Sequence, residues 1–479
     1  MKKKTKIVAT ISDLRCDVDF IKKLYEEGMN VVRLNTAHQT HKDTLRVVKN
    51  VRAVSLKIPL LLDTKGPEIR TNKFEEERHF KTGEVIIIKG DAKKLPDAKT
   101  LYVSYEGIVE DVSVGKSILI DDGVLEFKVI KKSSGGLVCK AMNNGAIKGR
   151  KSVNVPGVKI NLPSLTKKDR DYIEFAAKNK LDFIAHSFVR NKKDVLAVQK
   201  ILDKYKSKAK IIAKIENQEG VDNLDEILDV AYGVMVARGD LGIEIPAERI
   251  PLIQYGMVKK CISRKRPVIV ATQMLHTMID NPRPTRAEVA DIANAIRSGT
   301  DAIMLSGETA YGDYPVEAVR VMSKISREVE KEREEKLKDV EITELDNEVA
   351  AYLAKVAVRA SSKLPIKAII CDSTTGRTAR YLSAFRGSKL VFTQCYDDAT
   401  MRHLALSYGV YAARIDKTKT HDKFIKISLN TLLKRKEFKK SDLMVVLAGN
   451  YGPTNGANFV EISTIENLLN DKKRIQTHD

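Results

Sequence analysis

Short apolar runs, each followed by a stretch of helical periodicity, recur through the first 340 residues, and that rhythm constrains the fold more than any other feature. The runs lie at 6–11, 30–35, 59–64, 183–187, 211–215, 233–237, 267–272 and 301–306. They are rich in Val, Ile, Leu and Ala and too short for helices, so they read as strands buried on both faces. Between them come amphipathic patterns such as 19–27 and 42–55. In the stretch 211–246 the pattern is clearest: Leu224, Ile227, Leu228 and Ala231 recur at helical spacing between two strand runs. Consecutive parallel strands need helical crossovers, and eight such units close a (β/α)8 TIM barrel.

The rhythm is broken once. From about 74 to 158 the runs become short, β-branched and cut by Gly, Asn and Asp, as in EVIIIKG, SILIDDG, LEFKVI and GLVCKAM. This reads as a small β domain, inserted between the third and fourth barrel strands. A charged helical segment, 325–339, leads out of the barrel. From about 345 a second alternation begins, with strand cores at 367–371, 389–393, 409–412 and 443–448. It reads as a doubly wound α/β domain with a parallel sheet. The expected division is 1–72 and 160–340 for the barrel, 73–159 for an inserted small β-barrel lid, and 341–479 for the C-terminal domain.

Barrel chemistry sits where the strands end at their carboxyl termini. Those positions hold Arg33 and Asn35, Asp63 and Thr64, Ser187, Lys214 and Glu216, Asp240, Thr272 and Gln273, and Ser306 and Glu308. Lys214 and Glu216 are two apart, so on an extended segment they share a face. Asp240 follows the sixth strand between Gly239 and Leu241-Gly242, where glycine lets backbone approach a ligand closely. A lone Lys-x-Glu on a strand is more often a structural ion pair than a catalytic one. The set as a whole contains carboxylates, cations and a hydroxyl, with no histidine or cysteine. It therefore suits metal-assisted phosphoryl transfer or enolate chemistry, and acyl transfer through a nucleophile–histidine pair is poorly supported.

Composition narrows the partners. The net charge of +21 could signal nucleic acid, but the lysines are spread along the chain, no basic run is interleaved with aromatics, and Trp is absent. A lysine-rich surface that attracts anionic metabolites is the expected reading, with no specific nucleic-acid function. No apolar run approaches a membrane span, and Cys16, Cys139, Cys261, Cys371 and Cys395 are scattered without metal-ligand spacing. A protein with reduced thiols in the cytoplasm and no membrane association is expected.

The long motifs identify a family. KIENQEGV (214–221) followed by VARGDLG (236–242) resembles pyruvate kinase. So do GMNVVRLN (28–35), LDTKGPEIRT (62–71), ATQML (271–275), PRPTRAE (282–288) and IMLSGETAYGDYP (303–315). The resemblance spans nearly the whole chain and implies a barrel with a β lid and a C-terminal regulatory α/β domain, usually as a homotetramer. It implies transfer of phosphoryl from phosphoenolpyruvate to ADP, with Mg²⁺ or Mn²⁺ and K⁺. Carried over to this chain, Glu216 and Asp240 hold the divalent metal, and Lys214 stabilises the phosphoryl group in flight. Arg33 contacts the same oxygens. Thr272 lies by the carbon protonated when the enolate collapses, and the amides of Gly239 and Asp240 seat the substrate carboxylate. Arg33, Asn35, His38 and Arg70 face the nucleotide; Asn35, Asp63 and Thr64 hold potassium; Asp121-Asp122-Gly123 closes over the site. Ser373, Thr374, Thr375, Gly376, Arg377 and Thr378 resemble the family's effector loop for a phosphorylated ligand, although the same residues suit an ordinary helix cap.

Three positions depart from the family's pattern. Ser12-Asp13-Leu14-Arg15 stands where Gly-Pro-Ala-Ser is usual, Ala37 where serine is expected, and Asn191 where lysine is common. All fall on the nucleotide and potassium side. Two other readings use the same residues. A metal-dependent barrel lyase or aldolase would not need the lid or Thr64-Lys65-Gly66-Pro67-Glu68. A weakened paralogue acting as a metabolite sensor or RNA-associated protein would draw on the three departures and the basic charge.

Overall fold

A computed structural model describes residues 2–37, 39–97, 99–133, 135–332, 340–416, 421–449 and 456–470. Eight parallel strands close into a ring: Lys6–Thr10, Val31–Asn35, Leu60–Asp63, Phe183–His186, Lys210–Ile215, Gly233–Ala237, Val268–Ala271 and Ala302–Leu305. The first strand pairs on one side with the second and on the other with the eighth. Strand periodicity sorts the side chains. Val31, Leu61, Ala185, Ile212, Met235 and Ile269 fill the lumen, while their neighbours Val32, Leu62, Ile184, Ala213, Val234 and Val270 pack beneath the helices. The lumen face then runs on into chemistry. Arg33 and Asn35 follow Val31 at spacings of two, Asp63 follows Leu61, Ser187 follows Ala185, and Lys214 and Glu216 follow Ile212.

The helices around the ring start on strong caps. Those at His41–Val54, Lys167–Lys178 and Arg286–Ser298 each begin on a threonine whose hydroxyl accepts the third amide, while Asp43, Asp169 and Glu288 reach back to the cap. Reciprocal pairing satisfies amides that a helix start leaves without partners. The segment expected at 325–339 is the end of a longer helix, Pro315–Glu332; residues 333–339 lie outside the described residues.

The insertion is a seven-stranded sheet with Ile69–Arg70 at one edge and Thr100–Val103 at the other. A bridge between Thr71 and Val103, with the Ser104 amide on the Arg70 carbonyl (2.8 Å), rolls these edges together into a small barrel. Ser152–Asn154 pairs with Ile69–Arg70, so the chain enters and leaves the insertion side by side.

The C-terminal sheet has the order Val410–Arg414, Val391–Cys395, Ile366–Ser373, Leu443–Ala448, Phe459–Thr464. Alternate residues of its central strand face two cores: Ile369 and Cys371 one, Ala368 and Ile370 the other. One expectation needs correcting. The sheet is mixed, because Phe459–Thr464 runs antiparallel beside Leu443–Ala448. This edge strand is half exposed and alternates polar residues, so it lacks the apolar run that marks a buried parallel strand.

Buried contacts fix this domain to the amino-terminal end of the barrel. Arg386 pairs with Asp301 (2.6 Å) and Arg402 with Asp182 (2.5 Å). Each aspartate stands immediately before a barrel strand, the eighth and the fourth. Leu406 belongs to the cluster that fills the lumen, and His403 lies against Phe183 (5.5 Å between ring centres).

Candidate active site

At the carboxyl ends of the strands a lysine is held by three oxygens. The Lys214 ammonium lies 2.9 Å from Glu216 Oε1 and 3.1 Å from Asp63 Oδ1, and it donates to Ser187 Oγ at 2.6 Å. Burial pulls this ammonium down, but the carboxylates of Asp63 and Glu216, with Asp240 behind them, outweigh it and hold the group charged. Asp63 has a second cation, since Arg33 Nε donates to its Oδ2 at 2.6 Å. Arg33 is steadied in turn by Thr10 Oγ1 at 3.0 Å. Burial alone would raise the Asp63 carboxyl; Arg33 and Lys214 reverse that and keep it ionised.

Glu216 and Asp240 form the opposite case. Burial is the largest influence on each and raises both, and their mutual proximity raises Glu216 further. Glu216 also accepts the Phe188 amide at 2.6 Å. Glu216, buried, and Asp240, half buried, are adjacent carboxylates that share the one lysine beside them, a donor set for a hard cation. Among the described residues no group of three or more His, Cys, Asp or Glu is arranged to hold a metal ion. A pair of carboxylates is a donor set of the size Mg²⁺ commonly takes, its shell being completed by substrate oxygens and water.

Asp240 and Gly239 lie in the first turn of the helix Arg238–Glu244, which follows directly on the sixth strand. Thr272 accepts the Gly239 amide at 2.8 Å, and its backbone sits at φ +71°. A β-branched residue is rarely found there, and Gln273 beside it is also left-handed. Arg238 holds the strained turn by donating to the Thr272 carbonyl (2.7 Å) while anchored on Asp291 (2.7 Å). A Cβ on Gly239 would stand 3.5 Å from Thr272 Oγ1, on the approach to that hydroxyl. Gln273 is exposed, and Glu308 is turned to structure, accepting the amides of Ser306 (2.7 Å) and Leu275 (3.1 Å).

Beside this centre lie the residues expected to face nucleotide and potassium. Asn35 Oδ1 accepts the Ala37 amide at 3.1 Å, and the Thr64 carbonyl accepts Ser187 Oγ at 2.7 Å. Ala37 offers no side-chain oxygen, and Lys168 donates to its carbonyl at 2.9 Å. Arg70 donates to Glu68 (2.5 Å) and to the Arg150 carbonyl (2.7 Å). His38 lies outside the described residues. Asp121, Asp122 and Gly123 make a left-handed turn between the strands Ser117–Ile120 and Leu125–Ser133 of the insertion, and Asp122 is close enough for its charge to act on Asp240.

The other two departures have local explanations. Asn191 caps the helix Lys192–Lys204, accepting from the amides of Lys193 (3.0 Å) and Asp194 (3.4 Å). Ser12 and Arg15 bind the carbonyls of Ala310 (2.5 Å) and Gly312 (3.5 Å), in the loop after the eighth strand.

Three residues went unread in the sequence. Arg238 shapes Thr272, as above. Arg190 clamps the end of the lid connection by donating to the Leu162 carbonyl (3.0 Å) while paired with Asp194 (3.1 Å). His186 ends the fourth strand one residue before Ser187, yet it faces the helix layer, with Nδ1 3.5 Å from Thr64 Oγ1, and burial pushes it down to about 4. Their signal was faint, because Arg in Arg-Gly-Asp and in Phe-Val-Arg reads as solvated charge until the loops fold over it.

In the C-terminal domain Ser373 ends the central strand and Gly376, at φ +80°, opens the helix Arg377–Ala384 without a side-chain cap. Thr374 and Thr375 are exposed, Arg377 is half buried and Thr378 is buried.

Comparison with known proteins agrees with this arrangement. A family profile described as "Pyruvate kinase, barrel domain" matches residues 2–319, and one described as "Pyruvate kinase, alpha/beta domain" matches 352–463. The chain is 49% identical to a pyruvate kinase of Borreliella burgdorferi, over 98% of each chain. It is 42% identical to one of Geobacillus stearothermophilus, over 98% of this chain and 81% of that one. The crystal structure of a pyruvate kinase from Cryptosporidium parvum superposes with a TM-score of 0.90 at 35% identity, covering 97% of this chain and 96% of that one.

Proposed function

The chain belongs to the pyruvate kinase family and is an enzyme of that kind, and from this we propose how its own residues carry the reaction. Phosphoenolpyruvate and ADP are the substrates. The bond from phosphorus to the enol oxygen breaks, a bond to the terminal phosphate oxygen of ADP forms, and the enolate left behind takes a proton at its methylene carbon to give pyruvate.

The observation that carries this reading is the convergence, at one barrel mouth, of a lysine held by two carboxylates and a hydroxyl, a further carboxylate at Asp240, and the Thr272 hydroxyl on a strained turn. Lys214 faces the oxygens of the phosphoryl group, where its charge counts most as that group is in flight. Arg33 contacts the same oxygens and keeps Asp63 ionised. Glu216 and Asp240 would hold Mg²⁺ or Mn²⁺, which when bound neutralises phosphoryl and enolate oxygens. Gly239 leaves room for the substrate carboxylate beside Thr272, whose hydroxyl relays the proton. Arg70, Asn35 and His38 serve the nucleotide. Asn35, Asp63 and Thr64 would hold K⁺, with one ligand fewer than a serine at 37 would supply.

Residues 1–72 and 160–340 form the catalytic barrel in this reading, 73–159 the lid that excludes water, and 341–479 a regulatory domain. A phosphorylated effector would sit on Ser373, Thr374, Thr375, Gly376, Arg377 and Thr378, supported by the uncapped amides after Gly376. Among the described residues no helix is long and apolar enough to cross a membrane. A cytoplasmic homotetramer is carried over from the family resemblance alone.

A coupled assay of pyruvate release tests the core of the reading. Release that requires both ADP and a divalent cation is expected. Release without ADP would replace it with a lyase or phosphatase, and no release at all would favour a sensor.

A further inference from the structure

A second large concavity opens far from the strand-end site, at the amino-terminal ends of both the barrel and the C-terminal sheet. It holds about 1050 Å³ and lies between the helix Pro315–Glu332, the first residues of the chain and the edge of the C-terminal domain. Lys324, Arg327 and Lys331 reach it from one stripe of that helix. Lys367 stands at the start of the central C-terminal strand and Lys389 just before its neighbour. Lys2 and Lys4 close the third side.

Seven cations thus meet three carboxylates, and two of the three are already engaged. Glu328 pairs with Lys331 at 2.8 Å, and Glu330 accepts the amides of Lys4 and Thr5 at 2.7 Å each. No ion pair within the described residues reaches Lys324, Lys367 or Lys389. Lysines are common everywhere on this chain, so charge alone marks nothing. What separates this place is its apolar floor, where Ile325 and Leu390 are partly exposed above Phe392 and Phe438, two rings packed edge to face with centres 5.7 Å apart and only 4% and 8% exposed. A concave apolar surface with converging charged groups is the usual form of a small-molecule site.

We propose that this cleft binds a small organic phosphate with a flat apolar body, the body lying on Ile325 and Leu390 against the exposed edges of Phe392 and Phe438 and the phosphoryl group facing Lys324, Lys367 and Lys389. The site is separate from the effector loop at 373–378, which lies at the opposite end of the same sheet. It does not depend on the catalytic reading.

The probe is 1-naphthyl phosphate, in equilibrium dialysis against the full chain with phosphoenolpyruvate and Mg²⁺ present to fill the strand-end site. One equivalent per chain is expected to remain bound. Lys367→Glu and Lys389→Glu should each weaken it about tenfold, the scale of one charge-assisted contact. Lys200→Glu, an equal change of charge on the exposed face of a distant helix, should leave it within about twofold. In the unmodified protein the probe should also protect Lys367 and Lys389 from acetylation, read by peptide mass spectrometry. Equal weakening by Lys200→Glu would reduce the effect to net charge and overturn the proposal. So would binding of uncharged 1-naphthol as tight as that of the phosphate, or no retained probe at millimolar concentration.

Discussion

Lys214 keeps its charge in a place where a lysine would ordinarily lose it, because two carboxylates and a hydroxyl surround it. Its charge acts mainly on the phosphoryl group in transit, so Lys214→Met should lower kcat by about a thousandfold or more while KM for phosphoenolpyruvate changes little. Steady-state kinetics with a refolding control would check this, and near-normal turnover would remove Lys214 from the mechanism. Glu216→Gln and Asp240→Asn should each weaken Mn²⁺ by about tenfold or more, since a hard cation needs anionic oxygens; titration by water-proton relaxation measures it. Ala37 leads to a third expectation. K⁺ should stimulate the enzyme, but half-saturation should fall about fivefold to tenfold in Ala37→Ser, the value of one further oxygen ligand at about 1 kcal/mol. Activity against K⁺, with tetramethylammonium holding ionic strength constant, decides it; a flat response in the unmodified protein would mean that no such ion is used. At this scale the sequence was legible where chemistry continues a strand's period of two, as at Asp63, Lys214 and Glu216. It was not legible where a side chain acts by holding another, as Arg238 does for Thr272.

A secondary element accounts for one departure that at first pointed to altered nucleotide binding. Asn191 is the cap of the helix Lys192–Lys204. Asn191→Ala should therefore cost about 1 kcal/mol in chemical denaturation and leave the KM for ADP within twofold; a large change in KM with unchanged stability would return the residue to the nucleotide site. Next to it, Arg190 ties the helix to the end of the lid connection, so cap and clamp share one turn. The eight barrel strands were readable because each is a short buried run with three or four apolar residues, set between amphipathic helices. Phe459–Thr464 escaped because an antiparallel edge strand needs neither an apolar run nor a crossover helix. The closure of the insertion into a small barrel is expected from the family resemblance and not from local pattern, since it depends on Ile69–Arg70 meeting residues more than thirty positions away.

At the scale of the whole molecule, the barrel and the C-terminal domain are joined through buried polar groups, and this makes the joint sensitive to acid. His403 packs on Phe183 and Tyr232, and burial pushes its ring down to about 4 against the weaker pull of Asp182. An unfolded histidine titrates near 6.5, so between those values the unfolded chain binds the extra proton and stability falls as pH drops. The loss at pH 4 should be about 3 kcal/mol. His403→Phe should lack that part of the pH dependence, measured by urea denaturation at pH 7 and pH 4.5; identical slopes in both proteins would show that the ring is not neutral when folded. The order of strands in the ring has a different consequence, for synthesis. Lys6–Thr10 needs Ala302–Leu305 as its second neighbour, and a ribosome adding about 5–20 residues each second requires roughly 15–60 s to supply it. The first three strands therefore wait with an open, apolar edge while the inserted sheet, whose pairings all close between Ile69 and Asn154, can assemble long before the eighth strand emerges. In the growing chain the lid is expected to be finished before the wall it closes over.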